Sequence, residues 1–161
     1  MIKLKRIGHI LLSVRDLERS LKFYTEILGF KVLERDPDRH GGVFLALGNY
    51  GNTLDLFPST KPDAHPQPKA ALGMREGLGV KHTAFAVESE EDLARAYFAL
   101  EDAGVPIHKA LDHTSQKSIY FYDPDENLLE IVWERPNTRE IFKQGRGDGD
   151  VPIKFERPPR E

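Results

Sequence analysis

Residues 8–14 read Gly-His-Ile-Leu-Leu-Ser-Val, and residues 81–87 read Lys-His-Thr-Ala-Phe-Ala-Val. Both are short apolar runs of the kind that forms buried strands. Each run has a histidine at its second position and a valine five residues after that histidine. Two runs that match in this way indicate an internal repeat, so the sequence around each of them should follow the same plan.

A helix signal follows each run. The first begins at Asp16 and stops at Gly29, and its apolar residues at helical spacing are Leu17, Leu21, Tyr24 and Leu28. The second begins at Ser89, has three acidic residues in its first turn, where the helix dipole favours them, and ends at Gly104. The repeat therefore includes a helix after the first strand of each half.

Three strand-like runs follow each helix signal, at about 30–35, 42–48 and 52–57 and at about 106–111, 117–122 and 127–133. Both halves thus predict βαβββ, and the fold class is α+β, with paired modules forming a curved mixed sheet. We expect one domain over 1–135, with module 1 at about 4–58, a linker at about 59–78 and module 2 at about 79–135. The polar residues 136–161 are predicted to form a loose C-terminal tail or an arm that wraps a partner.

Composition narrows the possible functions. The chain has 161 residues and a net charge of −3, and without a basic stripe this argues against nucleic-acid binding. It has no cysteine, which excludes disulfides, zinc–thiolate sites and cysteine nucleophiles. No apolar run reaches the roughly 20 residues of a membrane span, and the N-terminus leads straight into a strand-like run. We therefore expect no signal peptide, no membrane association and a cytoplasmic location.

The repeat also aligns acidic residues. Asp55 lies in the last strand-like run of the first half and Glu130 in that of the second, at matching positions. A carboxylate within an apolar strand is rarely buried unless it is paired or bound to a metal. Taken singly, each carboxylate could face solvent and each histidine could be an ordinary core residue. The recurrence in register favours a metal site formed by His9, His82 and Glu130.

Two imidazoles and one carboxylate form a facial ligand set that leaves three positions open on the cation. In a chain without cysteine, such ligands suit iron(II), manganese(II), nickel(II) or zinc(II). The net charge of about +1 that they leave on a divalent ion favours a chelating anionic substrate. Asp55 is a candidate fourth ligand, or a residue that orients a ligand.

The span from about Lys5 to Glu134 resembles the vicinal oxygen chelate superfamily, the glyoxalase/bleomycin resistance/dioxygenase fold. The paired βαβββ layout carries the resemblance, together with Leu-Lys-Phe-Tyr-Thr-Glu-Ile-Leu-Gly-Phe at 21–30 and Tyr-Asp-Pro-Asp-Glu-Asn-Leu-Leu-Glu at 122–130. The superfamily includes glyoxalase I, epimerases, fosfomycin-resistance enzymes, bleomycin-binding proteins and extradiol ring-cleaving dioxygenases. The resemblance implies a small-molecule substrate and a homodimer.

The second half is most similar to the extradiol dioxygenases. Their signature runs here from His113 through the Ile119-Tyr120 and Asp123-Pro124 pairs to Glu130. The resemblance implies that the metal is iron(II), and that His113 and Tyr120 face a catecholic or related vicinal-diol substrate, which is cleaved with O₂. The plainer interpretation makes His113 an exposed loop residue and Tyr120 a core aromatic.

The sequence departs from that signature in two places. Glu126 stands where family members usually have glycine, so the turn there could differ in shape. Larger members carry a further catalytic histidine shortly before the second metal ligand, and no residue here matches it closely. His65 lies in the linker, and together with His40 and His108 it is expected to be a solvated loop residue.

Two other functions stay open. One is a glyoxalase I-like lyase or an epimerase that acts through a metal-stabilised enediolate, with Asp55 as the fourth protein ligand. The other is a non-enzymatic drug- or metabolite-binding protein that holds no metal, which the presence of His9, His82 and Glu130 disfavours.

Overall fold

The computed structural model describes residues 1–36, 41–63, 78–145 and 149–159. The chain divides into unit 1, Met1–His65, and unit 2, Pro66–Glu161. Each unit contains one of the two sheets found in the described residues, which agrees with the α+β prediction. His40 and His65, and most of the predicted linker, lie outside the described residues.

Unit 1 has the order strand, helix, strand, strand, strand. Its elements are β1 Ile10–Val14, α1 Leu17–Lys22 with a π-helical continuation Phe23–Ile27, β2 Lys31–Asp36, β3 Gly42–Ala46 and β4 Asn52–Pro58. The sheet order is β1-β4-β3-β2, with β1 parallel to β4 and the other pairs antiparallel. This is the βαβββ module expected for the first half.

The predicted helix signals account for how α1 begins and ends. The side chain of Asp16 accepts a hydrogen bond from the Arg19 backbone N–H at 3.0 Å, so it caps the helix. Gly29 has a φ of +76°, the left-handed conformation that glycine adopts readily after a helix. Tyr24 is fully buried and makes an edge-to-face contact with Phe30, which fixes the end of the helical segment against the unit.

Unit 2 repeats this order and extends it. Its elements are β5 Thr83–Ala86, α2 Glu90–Asp102, β6 Ile107–Asp112, β7 Gln116–Tyr122, β8 Leu128–Glu134, α3 Thr138–Gln144 and β9 Val151–Pro152. The sheet order is β5-β8-β7-β6-β9, with β5 parallel to β8. The second βαβββ module is therefore present as predicted, and β9 adds a strand at one edge of the sheet.

A capping residue and a buried apolar face account for the position of helix α2. The Ser89 side chain accepts a hydrogen bond from the Asp92 backbone N–H at 3.0 Å. Leu93 and Leu100 lie on one face of the helix and are almost completely buried. The helix packs against β7 and β8. None of the helices within the described residues is long and apolar enough to cross a membrane.

The prediction of a loose tail after residue 135 is wrong for the described residues. Residues 138–144 form α3, and residues 149–159, which we call the C-terminal strap, lie along unit 2. Val151 lies opposite Asp112 of β6, and the Ile153 N–H donates to the Ala110 carbonyl at 3.0 Å. The signal that was missed is the alternation of the apolar residues Val151, Ile153 and Phe155, which is a strand period.

His108 was predicted to be a solvated loop residue, and half of that prediction is correct. Its side chain is exposed, but it lies within strand β6 and its ring packs on Tyr122, with 5.6 Å between the centroids. A strand residue that points to the solvent face is as exposed as a loop residue, so polarity alone does not separate the two.

Candidate functional site

The histidine and carboxylate of each unit occupy the same register positions. In unit 1, Leu11 of β1 lies opposite Asp55 of β4, and in unit 2, Ala84 of β5 lies opposite Glu130 of β8. His9 and His82 each lie two residues before those partners. Because residues two apart on a strand share a face, each histidine lies diagonally beside its carboxylate on the same face of the sheet.

In unit 2 the pair is in direct contact and well supported. The Nε2 atom of His82 lies 2.9 Å from Oε2 of Glu130, whose residue is only 2% exposed. The other oxygen, Oε1, accepts hydrogen bonds from the Ser118 hydroxyl at 2.5 Å and from the Gln116 amide at 3.3 Å. Neutral donors thus orient Glu130 and leave Oε2 directed to the histidine.

In unit 1 the pair is looser. The Nε2 atom of His9 lies 3.6 Å from Oδ2 of Asp55, which is longer than a hydrogen bond. Asp55 is 4% exposed, and its Oδ1 atom is buried with no hydrogen-bond partner among the described residues. A buried carboxylate oxygen without a donor is costly, so Asp55 has an unmet need for a cation or a proton donor.

These donors fit a divalent metal ion. Imidazole and carboxylate are suitable ligands for iron(II), manganese(II), nickel(II) and zinc(II), and the unpartnered Oδ1 of Asp55 is the kind of atom that a cation satisfies. Among the residues that the structure describes, no cluster of three or more histidine, cysteine, aspartate or glutamate side chains is present. Unit 1 supplies the His9–Asp55 pair and unit 2 supplies the His82–Glu130 pair, and the set of His9, His82 and Glu130 stays a prediction.

His113 and Tyr120, predicted to lie on the substrate side, contact each other in unit 2. The Nε2 atom of His113 lies 2.9 Å from the Tyr120 hydroxyl, and its Nδ1 atom lies 2.6 Å from Oδ1 of Asp150. His113 is 8% exposed, so the interpretation of it as an exposed loop residue is wrong. Its imidazole is buried because both ring nitrogens have partners.

Tyr120 connects this histidine to the candidate metal ligands. Its ring makes edge-to-face contacts with both His82 and His113, each with 5.9 Å between centroids. Burial raises the pKa of Tyr120 well above its ordinary value, and the charge of Glu130 raises it further. The hydroxyl therefore stays protonated over the physiological range and acts as a hydrogen-bond donor beside the carboxylate.

The loop that carries His113 is held from two directions. It joins β6 to β7, and Thr114 in it has a φ of +70°, which is unfavourable for a β-branched residue. The guanidinium of Arg135 donates to the Thr114 carbonyl at 2.8 Å and to the Asp112 carboxylate at 2.5 Å. A strained residue beside a buried histidine indicates that the loop conformation is imposed by its contacts.

The turn before β8 fixes the approach to Glu130. The Asp123 carboxylate accepts hydrogen bonds from the backbone N–H groups of Asp125 at 2.9 Å and Asn127 at 2.7 Å. Glu126 has a φ of +63°, a conformation that favours glycine. The backbone at Glu126 therefore takes the conformation that suits the glycine usual at this position.

Sequence reasoning missed three residues of the site. Ser118 had a usable signal, since it lies two residues before Tyr120 and so shares its face of β7. Gln116, two residues earlier again, follows the same pattern. Asp150 had no signal, because nothing in its local sequence connects it to a loop that lies far away along the chain.

Comparisons with known proteins agree with this architecture. The model of the Glyoxalase/Bleomycin resistance protein/Dioxygenase superfamily matches residues 6–131. The chain is 32% identical over 132 residues to a catechol-2,3-dioxygenase of Bacillus subtilis (strain 168), covering 82% of this chain and 42% of that protein. It is 31% identical over 146 residues to a lactoylglutathione lyase of Schizosaccharomyces pombe, covering 79% of this chain and 47% of that protein.

A solved structure shows the same fold. The glyoxylase/bleomycin resistance protein/dioxygenase domain from Frankia sp. EAN1pec is 26% identical with a TM-score of 0.66, covering 83% of this chain and all of that one. The chain spans less than half the length of the two enzymes named above. Because the superfamily model matches residues 6–131, which is most of the sequence, the chain belongs to the Glyoxalase/Bleomycin resistance protein/Dioxygenase superfamily.

Proposed function

We propose that the protein is a metal-dependent dioxygenase of the extradiol type, which cleaves a catecholic or related vicinal-diol substrate with O₂. The observation that carries the proposal is the row of His82, Tyr120 and His113 in unit 2, with Glu130 beside it. This arrangement puts a buried hydroxyl donor and a second imidazole next to a histidine–carboxylate pair. A catechol-2,3-dioxygenase at 32% identity supports the same activity.

The metal would be held by His9, His82 and Glu130, with iron(II) as the preferred ion. A metal held there would supply open coordination positions for the two oxygens of the diol and for O₂. Glu130 is suited to the role of ligand because Ser118 and Gln116 occupy its Oε1 atom while Oε2 lies beside His82. The metal's identity and a homodimeric assembly are part of the proposal.

The roles of Tyr120 and His113 follow from their hydrogen bond. Tyr120 stays protonated, and when the diol binds, its single proton can turn from Nε2 of His113 to an oxygen of the substrate, which orients the diol and stabilises charge that develops on it. His113, with Nε2 on the Tyr120 hydroxyl, can accept or return a proton at that atom. Burial of both side chains excludes water from this side of the pair.

The experiment that tests the proposal is anaerobic reconstitution with iron(II), followed by exposure to O₂ and a panel of catechols. We expect about one metal ion per chain, O₂ consumption and a yellow ring-cleavage product. The control is the metal-free protein treated in the same way. Absence of both oxygen uptake and product across the panel, with one iron bound per chain, would contradict the dioxygenase proposal.

A glyoxalase I-like lyase or an epimerase is the second candidate, and Asp55 is the observation in its favour. Its buried Oδ1 atom has no hydrogen-bond partner among the described residues, so it is available as a fourth ligand or as the carboxylate that moves a proton. The similarity to a lactoylglutathione lyase points the same way. Turnover of a hemithioacetal with nickel or zinc, and none of catechols with iron, would establish this function.

Binding of both substrate types without turnover would favour a non-enzymatic small-molecule-binding protein. Metal content separates this third function from the other two. A binding protein of this kind needs no metal ion, so it should purify and bind its ligand equally well after treatment with a chelator.

A further inference from the structure

We propose that Asp150 of the C-terminal strap is a positioning residue, which sets the tautomer of His113 and thereby the direction of the Tyr120 hydroxyl. The inference rests on the proposed function for its catalytic consequence. The contacts that support it all lie within unit 2. The strap thus supplies a polar group to the candidate site, although it lies outside the βαβββ module.

The strap is attached to unit 2 at three places. Val151 and Pro152 pair with β6, which puts Asp150 directly beside the loop that carries His113. The Phe155 ring packs on Tyr97 of α2, with 5.0 Å between centroids.

The third attachment is made by Arg157, which forms two hydrogen bonds with the Asp102 carboxylate, at 2.8 and 2.9 Å. Its guanidinium lies 4.4 Å from the centre of the Phe98 ring. The contact of Asp150 with His113 is therefore held by a docked segment.

The hydrogen-bond chain fixes where the protons lie. A carboxylate can only accept, so in the 2.6 Å contact the Nδ1–H of His113 donates to Asp150. In the neutral imidazole Nε2 is then an acceptor, and the Tyr120 hydroxyl donates to it across 2.9 Å. The Tyr120 hydroxyl therefore donates to His113, and His113 donates to Asp150.

The direction matters because the Tyr120 hydroxyl has two acceptors within reach. It carries one proton, and Glu130 lies beside it as well as His113. If Nε2 of His113 carried the proton instead, the imidazole would donate to the Tyr120 oxygen, and the hydroxyl proton would turn to Glu130. A hydrogen bond to Glu130 from that side would compete with the use of this carboxylate as a metal ligand.

The test is ¹⁵N NMR of the histidine side chains in the metal-free, full-length protein near neutral pH. The nitrogen that carries the proton is identified directly, because protonated and unprotonated imidazole nitrogens differ greatly in chemical shift. We expect His113 to carry its proton on Nδ1 in the wild type. In Asp150→Ala we expect that signal to be replaced by one from a mixture in which Nε2–H is populated.

The matched control is Glu156→Ala, which removes a carboxylate from an exposed position on the same strap. It should leave the His113 signal unchanged. In ring-cleavage assays Asp150→Ala should lower kcat by about tenfold and change KM little. The reason is that the Asp150–His113 contact determines which imidazole nitrogen carries the proton and does not contribute to substrate binding.

An Nε2–H tautomer in the wild type would overturn the inference, even if Asp150→Ala failed to fold. A folded Asp150→Ala variant with the wild-type tautomer would overturn it as well. The tautomer is measured without metal or substrate. Failure of ring cleavage in the wild type would therefore refute the proposed function and leave this result intact.

Discussion

Phe44 in unit 1 and Tyr120 in unit 2 occupy equivalent positions, since Phe44 lies opposite Asp55 and Tyr120 lies opposite Glu130. The strand before the carboxylate therefore presents an apolar ring in one unit and a phenol in the other. Phe44 packs edge-to-face on Phe57, with 5.9 Å between centroids. Tyr120 contacts two histidines instead.

The same contrast appears two residues earlier on each strand. Ser118 donates to Glu130, whereas the corresponding residue of unit 1 is Gly42. A Cβ atom on Gly42 would lie 2.6 Å from the Phe57 ring, so even a small side chain would displace that ring. Both units keep the histidine–carboxylate pair, and within the described part of the chain Ser118 and Tyr120 place hydroxyl groups beside the pair of unit 2, whereas Oδ1 of Asp55 in unit 1 has no hydrogen-bond partner. The backbone register repeats, and the polar contacts around the pair are more numerous in the second unit.

The largest effect should come from removing the charge of each carboxylate in turn. We expect Glu130→Gln to reduce metal affinity by more than about 100-fold and to abolish activity, because a buried charged ligand is lost. Asp55→Asn should reduce it by about tenfold, as for a residue outside the coordination sphere. Metal content after equilibrium dialysis measures both.

Glu134→Gln is the control for Glu130→Gln, since Glu134 lies on the same strand and is exposed. It should bind metal like the wild type. Equal losses in Asp55→Asn and Glu130→Gln would contradict the contrast between the units, and would make Asp55 a fourth ligand in support of the lyase alternative.

The next effect comes from making unit 2 like unit 1. Tyr120→Phe keeps the ring but removes the hydroxyl donor, so kcat for ring cleavage should fall by about 100-fold while metal content stays the same. The reciprocal change, Phe44→Tyr, should leave kcat within about threefold of the wild type, because the Phe44 ring packs on Phe57 and has no role in the proposed chemistry. Steady-state kinetics on one catechol compares them; wild-type kcat in Tyr120→Phe would exclude a catalytic role for the hydroxyl.

The repeat explains why so much could be predicted from sequence. A histidine and a carboxylate that recur in register constrain the strand pairing, because a slip of one residue would turn either side chain to the opposite face. The pairs His9–Asp55 and His82–Glu130 follow directly from this reasoning. The three-residue metal site of His9, His82 and Glu130 does not follow from register within either unit, and it stays a proposal.

What could not be predicted depends on contacts between distant segments. Asp150 reaches His113 because the strap pairs with β6, and the alternation of apolar residues in the strap indicates a strand without indicating which strand it pairs with. The polar composition of residues 136–161 led to the prediction of a loose tail in the region where the structure has α3 and β9. Burial of His113 likewise depends in part on Asp150, which lies far from it in the sequence.

A smaller effect should come from the residues with left-handed backbone conformation in the turns before β4 and before β8. Gly48 in unit 1 has a φ of +59°, and Glu126 in unit 2 has a φ of +63°. Glu126→Gly should raise the free energy of unfolding by about 0.5–1 kcal/mol, because relief of strain exceeds the added freedom of the unfolded chain. Gly48→Ala should lower it by about 1 kcal/mol. Urea denaturation measures both, and a destabilised Glu126→Gly variant would show that the Glu126 side chain has a stabilising role.

The smallest effect concerns the ion pairs that join helix to sheet, the exposed Glu18–Arg35 pair in unit 1 and the partly buried Glu90–Lys117 pair in unit 2. The hydrogen bond from Arg35 holds the pKa of Glu18 below its ordinary value of 4.5. The contribution of this pair to stability is therefore present above pH 4.5 and is lost as pH falls through the lowered pKa. Arg35→Gln should return the Glu18 pKa to about 4.5 in an NMR titration, whereas Lys31→Gln on the same strand should not. Because both partners are exposed, stability at neutral pH should barely change, and an unmoved Glu18 pKa in Arg35→Gln would mean that the pair does not persist in solution.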